Sequence, residues 1–258
     1  NCYETKNLSD IELPPYMFFI HGAAPEYRDE KYGIGLYIDK SKFLKELAIE
    51  ESTKFGNQYI LIDNEASDYI EFNKKAIEFS KNKRKIIANN IFSNNYKVIC
   101  NQTHQFLKDY NNMYLGSSCT DTDCEFIDSN IFPTALRADV PAYLFKGKEN
   151  FTETLLNNLN FFERAEKNGV VEFLKSANFL PHGGGYSFPD IKRVSKILEH
   201  KDQRYFVCEL KTKDRVKIIR NVREIQYEYR GRDIVFKTLQ LDLGDIIARL
   251  NPIFSLKL

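Results

Sequence analysis

Two acids and a lysine in the C-terminal half have the types and spacing to cut a phosphodiester. Asp190 follows Pro189, Glu209 closes the apolar run Tyr205-Phe206-Val207-Cys208, and Lys211 stands two residues beyond Glu209. Hard divalent ions such as Mg²⁺ or Mn²⁺ take carboxylate and water oxygens. Such an ion neutralises a phosphate and makes a bound water nucleophilic. Residues i and i+2 of a strand share a face, so a strand over 204–211 turns Glu209 and Lys211 the same way. With Asp190 at the head of a neighbouring strand, Asp190 and Glu209 are the expected metal ligands. Lys211 is expected to orient or help deprotonate the attacking water. The plain alternative has Asp190 capping a helix, with Glu209 and Lys211 on a solvated strand face.

These residues need elements to position them. A helix is expected over 150–169, capped by Thr152 and stopped by Gly169, with Leu155, Leu159, Phe162 and Glu166 at helical spacing. A strand over 191–198, or a short helix begun at Pro189, leads through the polar turn 199–203 to the strand 204–211. Ile218, Val222, Ile225 and Tyr229 recur at i, i+4, i+7 and i+11, which predicts a helix over 213–231 closed by Gly231. A strand over 233–243 and a short helix over 245–251 complete this half. Residues 170–180 are ambiguous, and the three glycines of 181–190 predict a loop. Upstream, strands are expected over 15–22, 32–39, 58–63 (buried) and 95–100, and helices over 39–52 and 67–85. A strand is also expected over 140–147. The polar, turn-rich stretch 112–133 reads as a boundary or long loop. The fold class is therefore α/β (α+β): an N-terminal α/β module of unknown role over 1–130, and a C-terminal mixed sheet flanked by helices over 131–258.

Pro189-Asp190 followed by "YFVCELK", with 18 residues between Asp190 and Glu209, resembles the PD-(D/E)xK, or restriction-endonuclease-like, nuclease superfamily. That resemblance runs from the first helix near residue 150 to the C-terminus. It implies a core of helix, three strands, helix and strand, and a Mg²⁺- or Mn²⁺-dependent endonuclease acting on DNA ahead of RNA. It also implies a further acid from the first core helix, Glu153 or Glu163, and an accessory His182. Arg193, Arg220, Arg223 and Gln226 would face the nucleic acid. Restriction-type enzymes pair to cut two strands, so a homodimer is in keeping with it.

Charge agrees with a polyanionic partner. The chain is +1 overall, yet residues 189–237 hold 14 Lys or Arg against eight acids, so basic charge gathers around the motif. A solvated basic face is the plain alternative. Five cysteines without a CxxC pair read as free thiols of a reducing cytoplasm rather than a zinc site. No run approaches a membrane span. The first residues, "NCYETKNLSD", show neither an initiator methionine nor a signal peptide, as expected of a tag scar, a cleavage site or a domain cut.

Three other readings use overlapping residues. "YLFKG" (143–147), "YSF" (186–188) and Gln226-x-Glu228 resemble the strand motifs of the ADP-ribosyltransferases, which act on NAD. Lys146 stands where that family has arginine, and it lacks the bidentate fork. The nuclease requires a helix over 214–229, whereas the transferase requires strand. A cysteine hydrolase would use Cys119 with His182 and Asp190. A non-catalytic nucleic-acid-binding protein would use exposed aromatic residues for stacking.

Overall fold

The computed structural model describes residues 1–22, 26, 44–53, 56–121, 123–125, 129–148, 151–201, 203–212 and 215–256. In chain order the elements begin with β1 (Cys2–Asn7), β2 (Tyr16–Phe18), α1 (Leu44–Leu47), β3 (Ile49–Thr53), β4 (Gly56–Ile60) and α2 (Asp63–Phe92). Next come β5 (Gln105–Leu107), β6 (Met113–Leu115), β7 (Ser117–Cys119), β8 (Ile131–Thr134) and β9 (Ala142–Gly147). Three short helices succeed them, α3 (Glu153–Asn158), α4 (Phe162–Lys167) and α5 (Val171–Lys175). The chain ends with β10 (Phe179–Pro181), β11 (Tyr186–Ser187), β12 (Ile191–His200), β13 (Gln203–Leu210), β14 (Val216–Ile219), β15 (Glu228–Tyr229), α6 (Asp233–Gln240) and β16 (Gly244–Phe254). The architecture is mixed α and β, with antiparallel pairing throughout the described strands. Among the described residues no helix is long and apolar enough to cross a membrane.

The chain divides into two compact units, each built from separated segments. The first comprises Asn1–Pro25, Phe72–Gly184 and Gly231–Leu258; the second comprises Glu26–Glu71 and Gly185–Arg230. A boundary at residue 130 falls inside the first unit.

The first unit is built on a five-stranded sheet of order β2-β1-β16-β9-β8. β9 carries apolar residues at both parities, so it is covered on both faces. Ala142 and Leu144 pack with Tyr3, Met17, Ile247, Ala248 and Leu250. Phe145 packs with Phe132, Leu180, Val235 and Leu243. Val235 comes from α6, where a strand was expected, and β16 replaces the expected helix over 245–251. Tertiary pairing decided both: β16 hydrogen-bonds β1 on one side and β9 on the other. At Gly244 a Cβ would stand 2.7 Å from Lys146 O, so that approach requires glycine.

Other segments differ locally from their patterns. Residues 32–39 lie outside the described residues, as do 39–43. The helix expected over 39–52 is described only as one turn, α1, and the chain then enters the hairpin β3–β4. The second strand of that hairpin, expected to be buried, is largely exposed. Helix 67–85 is present and longer, as α2. Residues 95–100 form no strand; Ile99 and Cys100 pack against the core instead. The stretch 112–133 contains β6 and β7 and enters β8. The helix over 150–169 is split by Asn160, whose φ is +56°, and Phe161 N–H closes back onto Leu156 O at 2.8 Å. The Thr152 cap is as expected, its Oγ1 accepting from Leu155 N–H at 3.2 Å.

In the second unit β12, β13 and β14 form an antiparallel meander. Cys208, Ile219 and Ile225 make its small core, with Phe188, Ile191, Phe206 and Leu210 against them. The strand over 204–211 is present, and 191–198, open to strand or short helix, is strand; the expected helix over 213–231 is not formed among the described residues. Its segment gives β14, a turn and β15. Val216-Lys217-Ile218-Ile219 is β-branched at three of four positions and pairs with β13 through Phe206↔Ile219 and Cys208↔Lys217. That pairing overrides a helical spacing that is real in the sequence.

Candidate functional site

The expected acids and lysine lie along the open end of the β12–β13 hairpin, joined by one backbone bond. Ile191 pairs with Leu210, and beyond that pair Lys211 N–H donates to Asp190 O at 2.9 Å. Asp190 and Lys211 are exposed. Glu209 faces Arg193 across the strands, and the guanidinium forks onto it: Nε to Oε2 and Nη2 to Oε1, both 2.8 Å. Arg193 holds the Glu209 carboxyl below the usual carboxylate range. Glu209 is therefore ionised but already engaged by a bidentate cation. Among the described residues no group of three or more His, Cys, Asp and Glu is arranged to hold a metal ion. Glu153 lies 3.9 Å from Lys175, and Glu163 is exposed on α4. Both belong to the first unit, as does His182, whereas Asp190, Glu209 and Lys211 belong to the second.

The segment after β13 presents a different set of groups. β11 and β15 form a two-stranded ribbon in which Tyr186 pairs with Tyr229 and Ser187 with Glu228. Residues two apart share a face, so Tyr186 and Phe188 meet Tyr227 and Tyr229. Ring centroids are 4.7 Å apart for Tyr186–Tyr227 and 5.1 Å for Tyr186–Tyr229, and 6.4 Å for Phe188–Tyr227. Phe188 anchors this cluster to the core, while Tyr186 is 41% exposed and Tyr229 57%. A hydrogen bond to Tyr229 holds the Tyr186 phenol above its ordinary range.

Arginines border the ribbon, and the charge of Arg223 acts on Tyr186. The turn before β15 is built by Glu224, whose Oε1 accepts from Arg220 N–H at 3.1 Å and Asn221 N–H at 3.0 Å. Asn221 Oδ1 accepts from Arg223 N–H at 2.9 Å. Arg220, Arg223, Gln226, Glu228 and Arg230 are all exposed, and Arg230 lies along Gly185, which leads into β11.

Family models, curated proteins and solved structures contain no match to this chain.

Cys119 is 1% exposed on β7. Its thiol is lowered by a hydrogen bond with Cys124 first, then by Tyr114 and the neighbouring Lys108, against the opposing effect of burial. Lys108 Nζ is 2.5 Å from Asp121 Oδ2. A nucleophile must be presented to substrate; this thiol is enclosed.

Sequence reasoning singled out His182 but passed over the partners it meets. Within the first unit His21 Nε2 and His104 Nε2 are 3.3 Å apart, and the His104 and His182 rings lie 4.3 Å apart, edge to face. Burial, then His182 and His21, push His104 down to about 4. The available signal was compositional: the chain has four histidines, and three of them are here. Tyr186, Tyr227 and Tyr229 were likewise invisible as a group, because pairing of β11 with β15 assembles them.

Proposed function

We propose that the second unit binds nucleic acid through unpaired bases, with Tyr186 and Tyr229 as stacking surfaces and Arg220, Arg223 and Arg230 contacting phosphates. The observation that carries this reading is the exposed tyrosine ribbon set among arginines. Stacking is tolerant of base identity and contributes about 1–3 kcal/mol per base, and arginine matches phosphate in a bidentate way. A purely structural aromatic cluster would bury these rings, yet Tyr229 is more than half exposed. Fluorescence anisotropy with labelled single-stranded DNA, single-stranded RNA and duplex DNA tests it. A single strand, as DNA or RNA, is expected to bind more tightly than duplex. Tyr229→Ala is expected to weaken binding about tenfold; equal binding by that variant and wild type overturns the reading.

Cleavage of the bound strand is its catalytic extension, with Asp190, Glu209 and Lys211 as a restriction-like set. Their gathering at one hairpin end supports it. The Arg193 fork on Glu209 and the β14 strand in place of the core helix count against it. Incubation of plasmid and RNA with Mg²⁺, Mn²⁺ or EDTA decides: metal-dependent cutting lost in Lys211→Ala supports this extension, and no cutting by wild type removes it.

A second reading, the ADP-ribosyltransferase, is favoured by strand over 216–219 and 228–229 and by the Ser187↔Glu228 pair. Lys146 in β9 remains its departure. NAD consumption abolished by Glu228→Gln supports it; a wild-type protein that leaves NAD intact excludes it.

A further inference from the structure

Three histidines far apart in sequence meet in the first unit, and His182 alone among them carries a role in the readings of the second unit. His21 comes after β2, His104 precedes β5, and His182 comes after β10. Backbone bonds through Gly116 tie two of them together: Gly116 N–H donates to His104 O at 2.7 Å, and His182 N–H donates to Gly116 O at 3.2 Å. Ala135 N–H donates to His182 O at 2.9 Å, fixing the same residue from just beyond β8. The position of His182 is thus set by two segments before its side chain does anything.

The side chains are set as closely. The His21 and His104 rings lie within 17° of a common orientation with centroids 5.6 Å apart, well beyond the 3.3 Å between their Nε2 atoms. The two nitrogens therefore face each other at hydrogen-bond distance. His104 Nδ1 is buried with no hydrogen-bond partner among the described residues. Glycines line the Cε1–Nε2 edge of His182: a Cβ at Gly184 would stand 3.3 Å from Cε1 and 3.7 Å from Nε2, and one at Gly116 3.6 and 3.9 Å. No side chain from either residue covers that edge. His21 is exposed, so the cluster opens to solvent on one side.

We propose that His21, His104 and His182 bind a borderline divalent transition metal ion, Zn²⁺ foremost, leaving a coordination position open to solvent. Two nitrogens on a tetrahedral ion at about 2.05 Å stand about 3.3 Å apart, which is the separation the His21 and His104 Nε2 atoms already have. The ion takes the place of the hydrogen bond between them. Imidazole suits Zn²⁺, Ni²⁺ and Cu²⁺ and does not suit Mg²⁺, so this site is chemically separate from the acids of the second unit. Among the described residues no set of three is already arranged to hold an ion, so binding requires side-chain rotation of His21 and His182. Arg84 opposes the added charge, since its cation already lowers His104, and Asn101 Oδ1 accepts its Nε–H at 2.7 Å.

Competition with a chromophoric chelator for Zn²⁺ and the visible spectrum of bound Co²⁺ test this. Wild type is expected to take one equivalent, with the intense visible bands of tetrahedral Co²⁺. His21→Gln, at an exposed position, and His182→Gln are each expected to weaken affinity at least tenfold. His200→Gln, on β12, is expected to bind as wild type does. The proposal is overturned if wild type takes no stoichiometric Zn²⁺, if both cluster variants bind like wild type, or if Cys119→Ser alone abolishes binding. A folded His21→Gln variant, checked by circular dichroism, keeps the result interpretable if His182→Gln fails to fold.

Discussion

Arg193 holds Glu209 across two strands by a fork of paired 2.8 Å hydrogen bonds. The carboxylate expected to bind metal thus has a cation of its own, delivered by strand register: Arg193 and Glu209 are direct cross-strand partners. Removing the arginine should return the Glu209 carboxyl upward toward its ordinary value, read by carbon NMR titration of Arg193→Met. If Asp190 and Glu209 share an ion at all, the same variant should bind Mn²⁺ more tightly than wild type. Unchanged or weaker Mn²⁺ binding argues that the pair is purely structural.

Salt dependence separates the two kinds of contact assigned to the tyrosine ribbon. Arg223→Ala should lower the slope of log K against log salt by about 0.7 for a single strand, one phosphate contact fewer. Tyr229→Ala should weaken binding with the slope unchanged. A Tyr229 variant that changes the slope instead would mean that the ring positions a cation rather than a base.

Tyr59 donates to Glu199 Oε2 at 2.7 Å, and that bond, with Glu199's charge, pushes its phenol up to about 12. The folded value lies above the ordinary 10.0. The stabilisation is therefore complete below pH 10 and is lost as pH rises toward 12. The difference in urea midpoint between wild type and Tyr59→Phe should be constant at neutral pH and shrink above pH 10. A difference that persists unchanged to pH 12 would show that ring packing, not the hydroxyl, is responsible.

The short helix α3 depends on one cap and one buried leucine. Thr152→Ala removes the acceptor for Leu155 N–H and should cost about 1 kcal/mol. Leu156 is fully buried, and Leu156→Ala should cost about 2–5 kcal/mol. Denaturant unfolding of both variants measures the two; a larger loss at Thr152 than at Leu156 would mean that the cap, not the core contact, holds α3 in place.

Where local pattern and tertiary pairing agreed, the elements were legible. Gln203–Leu210 carries an apolar run behind a polar turn, and Ala142–Gly147 is apolar at both parities; each is a strand, and pairing with Gln203–Leu210 makes Ile191–His200 a strand where a short helix was the alternative. Helix α2 arises from its three-and-four spacing. Over 213–231 the spacing of Ile218, Val222, Ile225 and Tyr229 misled, because the neighbouring residue does the packing. Ile219 is 5% exposed, whereas Ile218 is 54% exposed. In α6 and β16 the assignments exchanged places for a different reason: β16 hydrogen-bonds both β1 and β9.

The sequence by itself determined the mixed α and β class, the Thr152 cap, the strand that carries Glu209, and the gathering of basic charge after residue 189. All of these rest on neighbours a few residues apart, where side-chain periodicity and capping chemistry act. Tertiary structure alone decided that Arg193 engages Glu209, that three tyrosines share one ribbon, and that His21, His104 and His182 meet. Those contacts depend on register and on chain crossings between distant segments. Many pairings are compatible with the same local pattern, and burial of the shared core selects among them.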